Sequence, residues 1–154
     1  MKRILIFDAY PSTRQLLAEE LTAEGNVTMG IGKPEYVSEW VEKFGPDLIV
    51  LDLYVRGAIL WELLGELKSR YPAIPVLLFT AFQPNEIPRL KEADAWVRKS
   101  FIFEELKEKI GFLLGKREED SKFKRSTLAK NSNQTSSQGH PGRSISRPFT
   151  PGRG

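Results

Sequence analysis

The sequence predicts an α/β fold in which five parallel strands form one doubly wound sheet with helices on both faces. Short apolar runs alternate with amphipathic segments five times within residues 1–117. One run, Leu48–Leu51, is apolar at every position, which is typical of a strand buried on both faces of a parallel sheet. Because crossovers between parallel strands are right-handed, five such units in succession place helices on both sides of the sheet.

Five segments have the length and apolar content of strands. In chain order they are Arg3–Phe7, Val27–Met29, Leu48–Leu51, Val76–Phe79 and Ala95–Arg98. The second is the weakest, because Gly30 and Gly32 follow it and interrupt the pattern.

The segments between these strands predict helices. Ser12 and Gln15 have the spacing of a capping box and open the first helix, which stops at Gly25. The second and third helices follow from apolar residues three and four positions apart, over residues 37–44 and 60–71.

The last third of the chain is less regular. Pro88 removes a backbone donor and clashes with the preceding turn, so the fourth helix should be short or distorted. A fifth helix is predicted over residues 103–115. In residues 118–154, 21 of 37 residues are Ser, Thr, Asn, Gln, Gly or Pro. The segment has too few apolar side chains to offset the conformational entropy that it would lose on folding. We therefore predict a folded domain at residues 1–117 and a disordered basic tail at 118–154.

Composition excludes several classes of function. The chain has no cysteine and one histidine, His140, which excludes disulfides, Cys/His metal clusters and histidine-based catalytic triads. The N-terminal apolar run is too short for a signal peptide, and no run reaches membrane-spanning length, so we expect a cytoplasmic protein without a membrane partner. Residues 1–117 carry 16 Lys and Arg against 17 Asp and Glu, and residues 118–154 carry 7 against 3, so the basic charge belongs to the tail.

Polar side chains stand at the C-terminal ends of three predicted strands. Asp52 follows the third strand, Thr80 the fourth and Lys99 the fifth. An ionised carboxylate is too costly to bury without partners, so Asp52 belongs in the crevice where the strands of an α/β sheet end. A carboxylate, a hydroxyl and an ammonium group that meet there can accept and hold a phosphoryl group.

Together with Asp8 at the end of the first strand, these strand ends carry a family resemblance. The motifs are Leu51-Asp52, Phe79-Thr80-Ala81 and Val97-Arg98-Lys99. Over residues 2–115 the chain resembles the receiver domain of bacterial response regulators, which implies a flavodoxin-like sheet.

The resemblance implies a role for each residue of the crevice. Asp52 would be the phosphoacceptor, which receives a phosphoryl group from a histidine kinase or a phosphotransfer protein. Thr80 and Lys99 would bind phosphoryl oxygens. Mg²⁺ would bind through Asp8, Asp52 and the main-chain carbonyl of Tyr54, an oxygen-only set of ligands.

Three further positions bear on the resemblance. Trp96 occupies the position of the family's switch aromatic, which faces partners. Ala9 stands where family members have a second acid, which implies weak Mg²⁺ binding. Ser100 replaces the usual proline after Lys99, and because a non-proline cis bond costs about 3 kcal/mol, the bond between them should be trans.

The predicted function is that of a single-domain response regulator, not an enzyme, that signals by contact with an unknown protein target. Two alternatives stay open. A degenerate receiver would bind its partner without accepting phosphate, which Ala9 favours. In the second alternative, the basic tail would bind an anionic partner. Its positive charges are dispersed along the tail, and two aromatic residues, Phe123 and Phe149, are too few to form a surface on which bases stack. Nucleic-acid binding is therefore not expected.

Overall fold

The structure is a computed structural model that describes residues 1–137, and the side chains of residues 1–128. Its strands are β1 (Arg3–Phe7), β2 (Val27–Ile31), β3 (Leu48–Leu51), β4 (Tyr54–Val55), β5 (Ala58–Ile59), β6 (Val76–Thr80) and β7 (Ala95–Arg98). Five of them form a parallel sheet in the order β2-β1-β3-β6-β7, which confirms the predicted architecture. β2 extends to Ile31, beyond its predicted end, because it pairs with β1 as far as Phe7.

The helices cover both faces of this sheet. They are α1 (Pro11–Ala23), α2 (Val37–Phe44), α3 (Trp61–Arg70) and α4 (Glu104–Ser137). Apolar side chains of α1 and of the first three turns of α4 share one buried cluster with Ile4 and Ile6 of β1. Those of α2 and α3 share a second cluster with Leu5 and Phe7. Because the strands are buried on both faces, polar side chains are confined to the strand ends.

The start of α1 differs from the prediction. Pro11 is its first residue, and Tyr10 precedes it without a capping side-chain hydrogen bond, so the capping box of Ser12 and Gln15 does not form. Proline has φ fixed near the helical value and no N–H that needs a partner, which suits the first position of a helix. The side-chain amide of Gln15 donates instead to Glu19 in the same helix.

The segment between β6 and β7 contains a single 3-10 turn, Pro88–Glu92, and no α-helix. This confirms the expectation of a short or distorted fourth helix. Pro88 stands at the start of the turn, where its missing N–H does no harm. Leu90 anchors the turn, since its side chain is buried in the second cluster.

A hairpin that the sequence analysis did not predict follows β3. Its strands β4 and β5 pair antiparallel through a two-residue turn, Arg56 and Gly57, with φ angles of 50° and 82°. Such a turn needs positive φ at both central positions, and Asn-Gly or Asp-Gly is its usual sequence signal. Arg-Gly carries only half of that signal, which is why the hairpin was not recognised.

The last helix is longer than predicted. α4 continues to Ser137, so residues 118–137 are helical where the sequence analysis predicted disorder. Residues 116–125 contain Lys, Arg and Glu, which favour helix even without an apolar face. Residues Met1–Glu118 form one compact unit, and a second unit begins at Glu119. The remainder of the predicted tail, residues 138–154, lies outside the described residues. Within the part that is described, no helix is long and apolar enough to cross a membrane.

Candidate functional site

The four polar residues that the sequence analysis placed at strand ends line one edge of the main sheet. Asp8 follows β1, Asp52 follows β3, Thr80 ends β6 and Lys99 follows β7. Asp8, Asp52 and Thr80 are 1%, 3% and 0% exposed, so polar groups line the interior of the crevice. The main-chain N–H of Lys99 donates to the carbonyl of Thr80 at 2.7 Å, which keeps these two strand ends paired.

Lys99 bridges both carboxylates. Its Nζ lies 2.8 Å from Asp52 Oδ2 and 2.7 Å from Asp8 Oδ2. The contact with Asp52 has the geometry of a hydrogen bond, whereas the contact with Asp8 is an ion pair without that alignment. One ammonium group therefore compensates two buried negative charges that would otherwise repel each other.

The second oxygen of each carboxylate binds the main chain two residues ahead. Asp8 Oδ1 accepts the N–H of Tyr10 at 2.9 Å, and Asp52 Oδ1 accepts the N–H of Tyr54 at 3.1 Å. These are the local turns that Asp forms readily after a strand. They fix the orientation of both carboxylates and leave the Oδ2 atoms facing Lys99.

Burial and charge act in opposite directions on this pair. Burial raises the pKa of Asp52, and the hydrogen bond and charge of Lys99 lower it by less, so the pKa lies above its usual value of 3.8. For Lys99, burial lowers the pKa, but the close carboxylates of Asp52 and Asp8 together outweigh burial and raise the pKa above its usual value of 10.5. Lys99 therefore stays charged at neutral pH, and it lies beside the Asp52 carboxyl group, which burial makes less acidic.

Thr80 Oγ1 is buried and has no hydrogen-bond partner in the described part of the chain. Buried hydroxyl groups in native proteins are nearly always hydrogen-bonded, so an unpaired one needs an explanation. Its place at the end of β6, next to the strands that carry Asp52 and Lys99, suits a donor to an anion bound in the crevice.

The donors available to a cation are two carboxylates. Asp8 Oδ2 and Asp52 Oδ2 approach the same ammonium nitrogen, so they converge on one point. Hard cations such as Mg²⁺ prefer oxygen donors of this kind. Among the described residues, no three His, Cys, Asp or Glu side chains form a metal-binding group, in line with alanine at position 9. The site thus fits Mg²⁺ with two protein carboxylates, the other ligands being main-chain carbonyls or water.

Trp96 lies on the edge strand β7 and is half-buried. Its ring packs against the second apolar cluster. Lys109 of α4 lies over the ring, with Nζ 5.5 Å from the ring centre, and donates to the Trp96 carbonyl at 2.8 Å. The peptide bond between Lys99 and Ser100 is trans, as the sequence predicted.

The sequence analysis gave no role to three aromatic rings near the crevice, although it named the main-chain carbonyl of Tyr54 as a Mg²⁺ ligand. The ring of Tyr10 lies 5.2 Å from Lys99 Nζ, within the range of a cation–π contact. Tyr54 and Phe82 meet edge to face with ring centres 5.0 Å apart. In the sequence, only their position could have indicated that these rings lie near the crevice, since each follows Asp8, Asp52 or Thr80 by two residues.

Two exposed apolar residues follow Lys99 and form, with Leu16, an apolar rim on a groove beside α1. Phe101 and Ile102, just after Lys99, are 82% and 72% exposed. With Leu16 of α1 they line a groove of about 270 Å³. Two adjacent apolar side chains with this exposure mark a surface suited to contact with a protein.

Known proteins resemble this chain in sequence. The family model of the response regulator receiver domain matches residues 4–111. The two-component response regulator PhoP of Pseudomonas aeruginosa is 30% identical over 129 residues, which are 82% of this chain and 56% of PhoP. The transcriptional regulatory protein BaeR of Escherichia coli is 36% identical over 88 residues, 57% of this chain and 36% of BaeR. The chain therefore spans little more than half, or less, of the length of these relatives.

Solved structures resemble it in fold. The response regulator TrrA of Thermotoga maritima, in complex with Mg²⁺-BeF, is 35% identical with a TM-score of 0.67, and the match covers 73% of this chain and 99% of TrrA. TrrA in complex with the histidine kinase ThkA is 37% identical with a TM-score of 0.62, over 74% of this chain and 99% of TrrA. A CheY-like receiver domain of Methanospirillum hungatei, 24% identical with a TM-score of 0.70 over 78% of this chain and 98% of that domain, supports the fold alone.

Proposed function

Because the chain belongs to the family of response regulator receiver domains, we propose that Asp52 accepts a phosphoryl group from a histidine kinase or a phosphotransfer protein. One arrangement carries this proposal. The buried Asp52 carboxylate is paired with Lys99 and lies on the strand next to that of Thr80, whose buried hydroxyl lacks a partner among the described residues. The Asp52 carboxylate as nucleophile, the Lys99 ammonium group and the Thr80 hydroxyl as hydrogen-bond donor are thus held at one edge of the sheet.

In the proposed reaction, an oxygen of the Asp52 carboxylate attacks the phosphorus atom of a phosphohistidine. A phosphorus–oxygen bond forms, the phosphorus–nitrogen bond breaks, and its electron pair returns to the imidazole of the donor protein. The product is an acyl phosphate on Asp52. Since little other covalent chemistry is required, the protein has mainly to position the nucleophile and to neutralise charge on the phosphoryl oxygens.

Lys99 and Thr80 supply that neutralisation. The Lys99 ammonium, at 2.8 Å from Asp52 Oδ2, is within a short side-chain movement of a phosphoryl oxygen bonded to Asp52. The Thr80 hydroxyl has a hydrogen to donate to a second oxygen without giving up an existing bond to the described residues. Asp8, Asp52 and the main-chain carbonyl of Tyr54 would hold Mg²⁺, which supplies further positive charge when bound.

The phosphodonor protein would dock on the rim formed by Phe101, Ile102 and Leu16. This rim begins two residues after Lys99, so a partner seated on it can bring its phosphohistidine to Asp52. The similar regulator TrrA has been captured with the histidine kinase ThkA, which supports a kinase as the class of partner.

Output would occur in the cytoplasm by protein contact, through the surface around Trp96, without enzymatic activity of the chain itself. The 3-10 turn Pro88–Glu92 is the only helical element between β6 and β7 in the described structure. Trp96 is half-buried, so part of its side chain is accessible to a partner. In this proposal residues 1–117 form the signalling domain, and residues 118–154 are accessory to it.

A second candidate function, a degenerate receiver, is favoured by the chemistry next to Asp8. Ala9 supplies no second carboxylate, and Lys99 already compensates Asp8 and Asp52 without a metal. Such a protein would bind its partner whether or not a phosphodonor is present.

Intact-mass measurement after incubation with acetyl phosphate and Mg²⁺ tests the proposal. The wild type should gain the mass of one phosphoryl group, and EDTA should prevent the gain. Asp52→Asn should gain nothing, whereas Asp120→Asn, a change at an exposed acid in α4, should behave as the wild type. A gain that persists in Asp52→Asn contradicts the proposal, and no gain in the wild type favours the degenerate alternative.

A further inference from the structure

The guanidinium group of Arg14 takes no part in the steps above, yet it reaches the main chain of the site. Arg14 lies at the start of α1 and is half-buried. Its Nη1 donates to the main-chain carbonyl of Asp8 at 2.7 Å. Because a charged donor makes hydrogen bonds roughly twice as strong as a neutral one, this contact restrains the peptide that joins Asp8 to Ala9.

Two glycines, Gly30 in β2 and Gly32 just after it, leave the space that Arg14 occupies. A Cβ atom at Gly32 would lie 2.6 Å from Arg14 Nη1 and 3.0 Å from Cζ. A Cβ atom at Gly30 would lie 3.1 Å from Arg14 Cγ. Neither glycine has a positive φ, so the backbone conformation does not require glycine there. The two residues that interrupt the strand pattern in the sequence are therefore explained by the close approach of this side chain.

Every polar atom of Asp8 is held. Its N–H donates to the carbonyl of Ile31 at 3.2 Å, and its carbonyl accepts from Arg14. Its Oδ1 accepts the N–H of Tyr10, and its Oδ2 faces Lys99. Of these contacts, the one from Arg14 is the only hydrogen bond from a side chain to the Asp8 main chain among the described residues.

We propose that Arg14 is a positioning residue that acts through Asp8, and that Gly30 and Gly32 admit its side chain to that place. By fixing the Asp8 peptide, Arg14 holds the Asp8 carboxylate where its Oδ2 and that of Asp52 converge. This role deepens the proposed function and rests on it, because Asp8 matters there as a cation ligand. With Ala9 in place of a second acid, no neighbouring carboxylate can compensate for a misdirected Asp8.

Two measurements on Arg14→Ala test the role. Mn²⁺ binding, followed by the electron paramagnetic resonance signal of free Mn²⁺, should weaken about tenfold or more, the usual effect of removing a group that orients a metal ligand. The Mg²⁺ concentration that gives half-maximal phosphorylation by acetyl phosphate should rise by a similar factor, while the rate at saturating Mg²⁺ changes little. Gln15→Ala, at a neighbour whose amide contacts Glu19, is the matched control and should change neither value.

The glycines provide a second, independent variant. Gly32→Ala should displace the guanidinium group and weaken Mn²⁺ binding as Arg14→Ala does. Combined with Arg14→Ala it should add nothing, because the space is then empty. Gly65→Ala, where an added Cβ meets no atom within 4 Å, is the control for adding a methyl group. If Arg14→Ala does not fold, the comparison of Gly32→Ala with Gly65→Ala decides the question.

Unchanged Mn²⁺ affinity in both Arg14→Ala and Gly32→Ala would overturn the role, and so would additive losses in the double variant. If the wild type is not phosphorylated while Arg14→Ala still weakens Mn²⁺ binding, the proposed function fails and the positioning role stands. If the wild type is phosphorylated and Mn²⁺ binding is the same in every variant, the positioning role fails and the proposed function stands.

Discussion

Lys99 Nζ lies 2.8 Å from Asp52 Oδ2, so the residue that would bind the phosphoryl group is already bound to the residue that would carry it. The two belong to strands separated by β6, and their contact ties the end of β7 to the end of β3. Phosphorylation of Asp52 would place new negative oxygens at this contact and draw Lys99 toward them. The resting ion pair is therefore an interaction that the proposed reaction must rearrange.

Lys99→Met should destabilise the domain and make its stability depend on divalent cations. The variant leaves two carboxylates buried side by side without a counter-charge, and breaking a pair of this kind costs on the order of 3–5 kcal/mol. Added Mg²⁺ should restore part of the loss, because a cation can take the place of the ammonium group. Thermal unfolding followed by circular dichroism, with and without Mg²⁺, measures both effects.

Lys68→Met is the matched control for this prediction. Lys68 Nζ is 2.6 Å from Asp94 Oδ2, and its side chain is 24% exposed against 21% for Lys99. The Asp94 side chain, however, is 33% exposed against 4% for Asp52, so water can solvate it after the substitution. A melting temperature as low as that of Lys99→Met, or an equal response to Mg²⁺, would contradict the special role of Lys99.

Asp52→Asn should raise the melting temperature at neutral pH. Burial raises the pKa of Asp52 by more than Lys99 lowers it, so ionised Asp52 costs the folded state free energy. A raised pKa contributes stability at pH values below the unfolded-state value of 3.8, and that contribution is lost as the pH rises through the folded-state pKa. The advantage of Asp52→Asn should therefore be largest near pH 7 and shrink as the pH falls toward 3.8.

Melting temperatures of the wild type and Asp52→Asn across that pH range check whether the substitution stabilises the protein. Asp47→Asn is a suitable control, because Asp47 Oδ2 accepts the main-chain N–H of Arg3 and its carboxylate is one-third exposed. It should be no more stable than the wild type at neutral pH. A melting temperature of Asp52→Asn below that of the wild type at pH 7 would show that the attraction of Lys99, and not burial, dominates at Asp52.

The sheet was predictable because its central strands are short, almost entirely apolar and separated by clear breaks. Burial on both faces allows no other pattern for Leu48–Leu51 and Val76–Thr80, and the polar residues that follow them mark the crevice. The beginning of α1 was not predictable with the same rule, because Pro11 and the capping pair Ser12 and Gln15 are both valid helix starts. Sequence spacing cannot decide between two such local signals.

Contacts across the sheet explain what else was missed. The bond from Arg14 to the Asp8 carbonyl joins the start of a helix to the end of a strand, and the sequence marks it only through Gly30 in β2 and Gly32 just after β2. Those glycines weakened the prediction of the second strand and did not indicate a contact with Arg14, because a single sequence does not reveal which side chain packs against a glycine. The helical residues after Glu118 were missed because the polar composition of the whole segment indicated disorder, although the Lys, Arg and Glu residues at its start favour helix.

Ala9→Asp should tighten Mg²⁺ binding. In the structure two carboxylates face the cation position, and a third beside Asp8 adds both an oxygen donor and a negative charge. Isothermal titration with Mg²⁺ at constant ionic strength measures the affinity. Ser121→Asp, at an exposed position of α4, controls for the change in net charge. Equal affinities for Ala9→Asp and the wild type would mean that position 9 does not face the cation.

Trp96 should report occupancy of Asp52. When a phosphoryl group or its mimic binds, the unpaired Thr80 hydroxyl should move toward it, which frees space at the end of β6 beside the half-buried Trp96. A packed element with two arrangements, biased by a local charge, is what a switch requires. With Trp40 and Trp61 replaced by Phe, beryllofluoride and Mg²⁺ should change the fluorescence of Trp96.

Thr80→Ala should abolish this change, because it removes the hydroxyl that couples the bound anion to β6. Thr28→Ala is the matched control, since Thr28 lies on β2 and its hydroxyl pairs with that of Thr22. It should leave the fluorescence response intact. Occupancy of Asp52 must be shown separately in each variant by the loss of reactivity toward acetyl phosphate. If Asp52 is occupied and the emission of Trp96 does not change, or if Thr80→Ala responds as fully as Thr28→Ala, the coupling between the crevice and β7 does not run through Thr80.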